Sequence, residues 1–212
     1  MKYTALIPVK SLALAKSRLA PSLSQRERET LVLDMLQHVL HTLRQSECFE
    51  DISVVSADAR VLSQAEQWGA SALPEERDGH NPALEAAARR ELAAGASALL
   101  TISADLPLLT VCDIRTLVKQ SAQYEVVLAV SREGTGTNAV LVRPPLALPY
   151  LFGPNSLQLH RQAAIQGNLH YLIYKSHGLA MDIDTIDDLH EIQDTGCNCQ
   201  QATYAKLATP NL

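Results

Sequence analysis

Glycine is absent from the first 68 residues, and only nine occur among all 212. This excludes a glycine-rich first loop, the usual device by which backbone N–H groups approach a phosphate closely. An excess of cations is also lacking: 18 Lys and Arg against 23 Asp and Glu leave a net charge of -5. A nucleic-acid binder needs a basic face, so no nucleic-acid partner is expected, and any cations that matter must be concentrated locally. No run approaches the roughly 20 apolar residues of a membrane span, and MKYTALIPVK is too short in apolar residues for a signal peptide. The expectation is no membrane partner and a cytoplasmic location. Cysteine is scarce, with Cys48, Cys112, Cys197 and Cys199, which fits a reducing compartment. Cys197-Asn198-Cys199 has neither a second pair nor flanking histidines, so it reads as plain tail rather than a metal site. No Ser-His-Asp or Cys-His order stands out, which puts nucleophilic catalysis last among the options.

What is present is a globular composition, 47% hydrophobic and 19% charged, in a length suited to one domain. Apolar runs alternate with longer helical patterns. Strands are expected at Tyr3–Pro8, Ile52–Ser56, Ala70–Leu73, Ala98–Ser103, Val126–Val130, Asn138–Val142, Leu169–Tyr174 and Leu179–Ile183. Helices are expected after the Ser24–Glu27 capping box, over Asp58–Trp68 and Pro82–Ala94, after Thr110, and over Ser156–Gln166 and Thr185–Ile192. Strands separated by such helices argue for βαβ units. The expected fold is α/β: a doubly wound, mostly parallel, Rossmann-like sheet with helices on both faces and a small β element added after the midpoint. Residues 1–196 read as one domain and 197–212 as a loose tail.

Open parallel sheets bind ligands at the carboxyl ends of their strands. That rule selects Val9–Leu19, Pro74–Asn81, Ala104–Leu109, Gly134–Asn138 and Asp182–Asp184. The first of these carries Lys10, Lys16 and Arg18, side-chain charges that suit a triphosphate; the plainer reading is a solvated surface loop. Asp105 follows the apolar strand and is fixed by Pro107. Either it coordinates Mg²⁺, which takes one or two carboxylates plus substrate phosphates, or it caps a turn. Asp182 or Asp184 offers a second carboxylate, although Asp184 also stands where a helix cap is wanted. Gly134–Asn138, containing Thr137, suits either a small polar acid or a hairpin turn. Gly153–Ser156 precedes a helix and suits either an anion or a simple cap. His160 and Arg161, one turn further, face either that anion or solvent.

Taken together, Pro8-Val9-Lys10, Ala15-Lys16-Ser17-Arg18-Leu19, Asn81…Leu84, Asp105-Leu106-Pro107-Leu108, Gly136-Thr137-Asn138, Phe152-Gly153-Pro154-Asn155-Ser156 and Asp182-Ile183-Asp184 give the chain its likeness. Over residues 3–192 it resembles the 2-phospho-L-lactate guanylyltransferase family, which includes the phosphoenolpyruvate guanylyltransferases of deazaflavin coenzyme biosynthesis. The resemblance implies a nucleotide-diphospho-sugar transferase-like fold. It also implies transfer of GMP from GTP to 2-phospho-L-lactate or phosphoenolpyruvate, with pyrophosphate released and Mg²⁺ as cofactor. By that likeness Lys10, Lys16, Arg18 and Asp105 are catalytic, and Asp105, Asp182 and Asp184 hold metal. Pro8, Val9, Lys10, Lys16, Arg18 and Asn81 border the nucleotide. Thr137, Gly153 and Ser156 bind the three-carbon acid, with Asn138, His160 and Arg161 grouped beside them. Pro82 after Asn81 departs from the family pattern and bears on base preference. Two other readings remain: a related nucleotidyltransferase with a molybdopterin or sugar-phosphate acceptor, and a non-catalytic GTP-binding module. The apolar stretch Ala139–Leu151 suggests a homodimer.

Overall fold

The computed structural model describes residues 1–194, so the expected tail with Cys197 and Cys199 lies outside the described residues. The apolar run Tyr3–Pro8 forms β1. Ser24 then opens helix α1 (Gln25–Ser46) with a capping box: its Oγ accepts from the Glu27 N–H at 3.4 Å, and the Glu27 carboxylate accepts from the Ser24 N–H at 2.8 Å. Leu31, Met35, Leu36, Val39, Leu40 and Leu43 recur at three- and four-residue spacing and are all buried, which fixes the face α1 presents to the sheet. There follow β2 (Asp51–Ser56), α2 (Ala59–Gln67), β3 (Ser71–Pro74), α3 (His80–Ala93), β4 (Ala98–Ile102) and α4 (Val111–Gln120). The second half adds β5 (Val126–Val130), β6 (Thr137–Val142), α5 (Ser156–Gln166), β7 (Tyr171–Tyr174), α6 (His177–Ala180) and α7 (Ile186–Asp194).

Among the described residues the seven strands form one sheet in the order β3-β2-β1-β4-β6-β5-β7. All run the same way except β6, which is antiparallel to both β4 and β5. The short loop from Ser131 to Gly136 forces that reversal, because only an antiparallel strand can follow without a crossover. The added β element is therefore a strand inserted into the middle of the sheet. Alternate strand residues pack on opposite faces. Ala5, Ile7, Val54, Leu100, Ile102 and Val127 share one core with α1 and α4, whereas Leu6, Val55 and Leu99 meet α3. Val126, Leu128 and Val140 meet α5 on that second side. The helices thus cover both faces, as a doubly wound fold requires.

β1 lies between β2 and β4, so the chain leaves it in one direction for β2 and β3 and returns on the other side for β4. A crevice opens at such a switch point, beyond the carboxyl ends of the two strands. The loop with Lys10, Lys16 and Arg18 and the loop with Asp105 both end there.

The strand expected at Leu179–Ile183 does not form. Ser176 caps the short helix α6 instead, its Oγ accepting from the Leu179 N–H at 3.2 Å. The carbonyls of Leu179 and Ala180 accept from the Asn138 side chain at 3.1 and 3.2 Å, so a side chain takes the place of a sheet partner. Gly178 permits this packing, since a Cβ there would stand 2.6 Å from the Leu108 carbonyl oxygen. Helix α3 also starts earlier than Pro82: Gly79, at φ +95°, precedes it, and Pro82 sits in its first turn, where its missing N–H costs nothing. Ala139–Val142, the start of the stretch read as a dimer contact, is buried within the sheet. No helix among the described residues is long and apolar enough to cross a membrane.

Leu141 is fully buried at the centre of β6, between β4 and β5. Leu141→Ala is expected to lower the stability by about 3 kcal/mol, read from the midpoint of urea unfolding. An unchanged midpoint would contradict the placement of β6 inside the sheet.

Candidate active site

The first loop is pinned by apolar side chains rather than shaped by glycines. Leu12, Ala15, Leu19 and Leu23 are buried, and the Leu12 N–H and Ser11 hydroxyl donate to Asp58 at 3.0 and 3.3 Å. Arg28 donates to the Ala15 carbonyl at 3.3 Å. Between two single 3₁₀ turns stands Lys16, in the left-handed region at φ 51° and ψ 43°. A residue with a Cβ is disfavoured there by about 1 kcal/mol, so something must hold it. Its ammonium does: Lys16 Nζ lies 2.5 Å from Asp105 Oδ2 and 3.0 Å from Asp184 Oδ1.

Asp105 follows β4 and also accepts a short hydrogen bond from the Ser103 hydroxyl. Burial would push its carboxyl up, but Lys16 and Ser103 together hold it below the usual range. The Lys16 ammonium is likewise disfavoured by burial, and the two carboxylates more than reverse this, raising its pKa. Asp184 also meets Arg18 Nη1 at 3.4 Å. Behind it, the buried Asp188 accepts from the Asp184 and Thr185 N–H groups at 3.0 and 2.7 Å. Arg132 clamps Asp188 at 2.6 Å and Glu191 at 2.5 Å, fixing the whole turn. Asp182 accepts from Asn138 at 3.2 Å. Burial first, then the neighbouring Asp105 and Asp184, push its carboxyl up to about 6.

One oxygen each of Asp105, Asp182 and Asp184 can be chosen so that all lie within 4.8 Å of one another. Hard carboxylate oxygens at that spacing fit Mg²⁺, and a carboxyl pushed up by burial and then by its acidic neighbours is what a cation would relieve. These residues form one wall of a cleft of about 790 Å³, a size usual for small-molecule sites.

Another part of the lining, which also includes Glu133, is rich in hydroxyls. Thr137, at the start of β6, meets Ser156 Oγ at 3.3 Å and His160 Nδ1 at 3.4 Å. Ser156 is the first residue of α5, preceded by Asn155 at φ 58° and by Gly153 at φ 127°, a value that only glycine adopts freely. The Leu157 N–H donates to the Thr135 carbonyl at 3.0 Å, which ties this helix start to the β5–β6 loop.

The structure therefore brings Pro8, Val9, Lys10, Lys16, Arg18, Asp105, Thr137, Asn138, Gly153, Ser156, Asp182 and Asp184 to one cleft. It places three others elsewhere. Asn81 exchanges two 3.0 Å hydrogen bonds with the backbone of Phe152, holding that ring in the cleft wall without lining the cleft itself. His160 is fully buried behind Thr137. Arg161 is exposed and donates to the Tyr171 hydroxyl at 3.0 Å, away from the cleft. Sequence reasoning selected the loop that holds His80 without singling that residue out, and it missed Ser103, Ser131 and Glu133, which also line the cleft, and the Arg132–Asp188 clamp. His80 sits edge-on to Phe152, with ring centroids 5.7 Å apart. The serine at the end of β4 was the available signal for Ser103, but it carried no spacing pattern.

Lys16→Met leaves Asp105 and Asp184 facing each other without their ammonium. In metal-free buffer the expected loss of stability is about 2 kcal/mol, less than for a fully buried pair because the Asp184 side chain is 46% exposed. Millimolar Mn²⁺ is expected to restore part of it; equal stability with and without Lys16, and no response to Mn²⁺, would contradict this site. Burial pushes the His160 imidazole down to about 4, against 6.5 for a free histidine. A depressed histidine stabilises the fold above pH 6.5 and loses that contribution as pH falls toward 4. The unfolding free energy of the wild type minus that of His160→Gln is thus expected to fall across this window; a pH-independent difference would contradict it.

Residues 3–208 match the family model described as "Guanylyl transferase CofC like". The chain is 39% identical over 197 residues to a phosphoenolpyruvate guanylyltransferase of Rubrobacter xylanophilus, covering 92% of this chain and 96% of that one. It is 34% identical over 203 residues to a 2-phospho-L-lactate guanylyltransferase of Methanobrevibacter smithii, covering 95% and 88%. The crystal structure of a putative nucleotide-diphospho-sugar transferase from Desulfovibrio desulfuricans G20 shares the fold at a TM-score of 0.81 and 16% identity, over 98% of this chain and 94% of that one. With its cations and carboxylates gathered on one wall of a switch-point cleft, the chain is a nucleotidyltransferase and belongs to the CofC-like guanylyl transferase family.

Proposed function

We propose that the protein transfers GMP from GTP to the phosphate of a phosphorylated three-carbon acid, phosphoenolpyruvate or 2-phospho-L-lactate, in making the deazaflavin coenzyme. The observation that carries this reading is the polarity of the cleft. Lys16, Arg18 and three carboxylates gather in one part of it, suited to a triphosphate and its metal, while Thr137, Ser156 and Gly153 lie together in another, suited to a small acid, with Glu133 also in the lining.

In the reaction a phosphate oxygen of the acid forms a bond to the α-phosphorus of GTP, the bond from that phosphorus to the β-phosphate oxygen breaks, and pyrophosphate leaves with the electron pair. A phosphate monoester is already largely dianionic at pH 7, so no general base is needed. That accounts for an active site without a Ser-His-Asp arrangement. The work left to the protein is positioning and charge neutralisation. Lys10 and Arg18, both exposed on the first loop, reach the triphosphate and balance the charge that develops on pyrophosphate. Lys16 serves the same anion from its place beside Asp105. Asp105, Asp182 and Asp184 would hold Mg²⁺, which, when bound, offsets the triphosphate charge. Thr137 and the Gly153 backbone hold the acid, with Ser156 bonded to Thr137 in the same lining. Pro8, Val9 and the loop before α3 border the nucleoside, with Asn81 acting through Phe152.

The test is pyrophosphate release from GTP in the presence of Mg²⁺, with phosphoenolpyruvate, 2-phospho-L-lactate and 3-phosphoglycerate supplied separately and ATP and CTP as competitors. Turnover with GTP and one of the first two acids is expected, and Asp105→Ala is expected to lose on the order of 10²-fold or more in kcat with the fold intact. Full activity of that variant would remove the metal assignment. GTP binding without turnover on any acid would leave a binding module, and turnover only on a sugar phosphate or a molybdopterin would move the protein to another branch of the fold.

A further inference from the structure

The hydrogen bonds around His160 admit one arrangement of protons. Its Nε2 lies 3.1 Å from the Leu151 backbone nitrogen, whose N–H can only donate, so Nε2 is the acceptor. The ring is neutral at pH 7, because burial pushes its pKa down to about 4. A neutral imidazole that accepts at Nε2 carries its hydrogen on Nδ1. The ring also has a hydrogen-bond partner in the Ser156 backbone one turn earlier that favours a protonated ring nitrogen, so the one Nδ1 hydrogen is shared between that group and Thr137 Oγ1.

This proton fixes the state of Thr137. Its Oγ1 lies 3.4 Å from Nδ1, and a protonated Nδ1 has no in-plane lone pair with which to accept. The Thr137 hydrogen therefore has no place on the histidine. Ser156 Oγ donates to the same Thr137 oxygen at 3.3 Å. The hydroxyl thus receives from the protein side and keeps its own hydrogen for the cleft, which it lines.

We infer that His160 is a positioning residue: through its Nδ1–H it holds the Thr137 hydroxyl as a hydrogen-bond donor to an anionic oxygen of the acid, and it never touches the acid itself. The identity of that ligand rests on the guanylyl-transfer reading, whereas the proton on Nδ1 is a property of the free protein. A hydroxyl locked as a donor favours an anionic oxygen and disfavours a ligand group that must itself donate.

Nitrogen-15 NMR of the ligand-free protein, with labelled histidine, decides the first half. A neutral His160 protonated at Nδ1 is expected, and a proton on Nε2 would overturn the inference whether or not the protein transfers anything. Kinetics decide the second half. His160→Gln keeps an acceptor for the Leu151 N–H and removes the donor at Nδ1. It is expected to raise the KM for the acid about tenfold while leaving the KM for GTP unchanged, the size of one hydrogen bond. His160→Asn keeps a donor at the Nδ1 position and is expected to bring the acid KM back toward the wild-type value. In a Thr137→Val background the glutamine substitution is expected to add nothing. Equal rises in both KM values, or an undiminished effect in the Thr137→Val background, would show a general structural role and overturn the inference. Absence of turnover with every acid would count against the guanylyl-transfer reading alone, since the NMR result stands apart from it.

Discussion

One ammonium group joins the three parts of the chain that make this site. Lys16 Nζ bridges Asp105, beyond β4, and Asp184, before α7, while its own backbone stands in a left-handed conformation beyond β1. Without that cation, three carboxylates within 4.8 Å would repel one another in a half-buried cleft. With it, Asp105 is held ionised, and the remaining repulsion appears mainly at Asp182, whose carboxyl is pushed up to about 6, by burial first and then by its two acidic neighbours. The strained backbone of Lys16 and the crowded acids are two sides of one arrangement, each making the other tolerable. It is also an arrangement ready to exchange partners, since a triphosphate and a divalent cation supply the same charges.

The fold explains why these groups meet. At the switch between β1 and β4 the chain departs in opposite directions, and the two loops leaving the strands define a crevice with no helix to fill it. Inserting β6 between β4 and β5 brings Thr137 and Asn138 to the same rim from a strand running the other way. Asn138 then does two jobs, holding the Leu179 and Ala180 carbonyls and touching Asp182. A part rich in paired charges and a part rich in hydroxyls result, with Glu133 also in the lining. Chemistry that joins a phosphate to a phosphate needs that division more than it needs a proton-transfer relay, because the nucleophile arrives already ionised.

Much of this was legible in the sequence. The apolar runs of β1, β4 and β5 and the capping boxes before α1 and α4 carry local signals strong enough to survive in the fold. The rule that ligands bind at strand ends pointed to the loops of Lys16 and Asp105. What was not legible depends on partners distant in sequence. Leu179–Ile183 has the composition of a strand, yet it meets the side chain of Asn138 on β6, a strand already paired on both sides, and that side chain takes two of its carbonyls. The place of β6 within the sheet left no mark in its own residues, since a buried strand reads alike in either direction. Asn81 and His160 sit where spacing suggests a ligand, but each spends its polar atoms on neighbouring protein groups, Phe152 for one and Leu151 and Thr137 for the other. The Arg132–Asp188 clamp joins residues 56 positions apart and has no local signature at all.

The most direct test of the account follows an oxygen atom. A three-carbon acid carrying oxygen-18 in its phosphate would be incubated with GTP, Mg²⁺ and the protein, and the products read by phosphorus-31 NMR, in which oxygen-18 shifts the signal of the phosphorus it is bonded to. The account predicts a new product in which labelled oxygen bridges the guanosine α-phosphorus and the phosphorus of the acid, together with unlabelled pyrophosphate. Label recovered in pyrophosphate, or GMP formed without a bridged product, would contradict it.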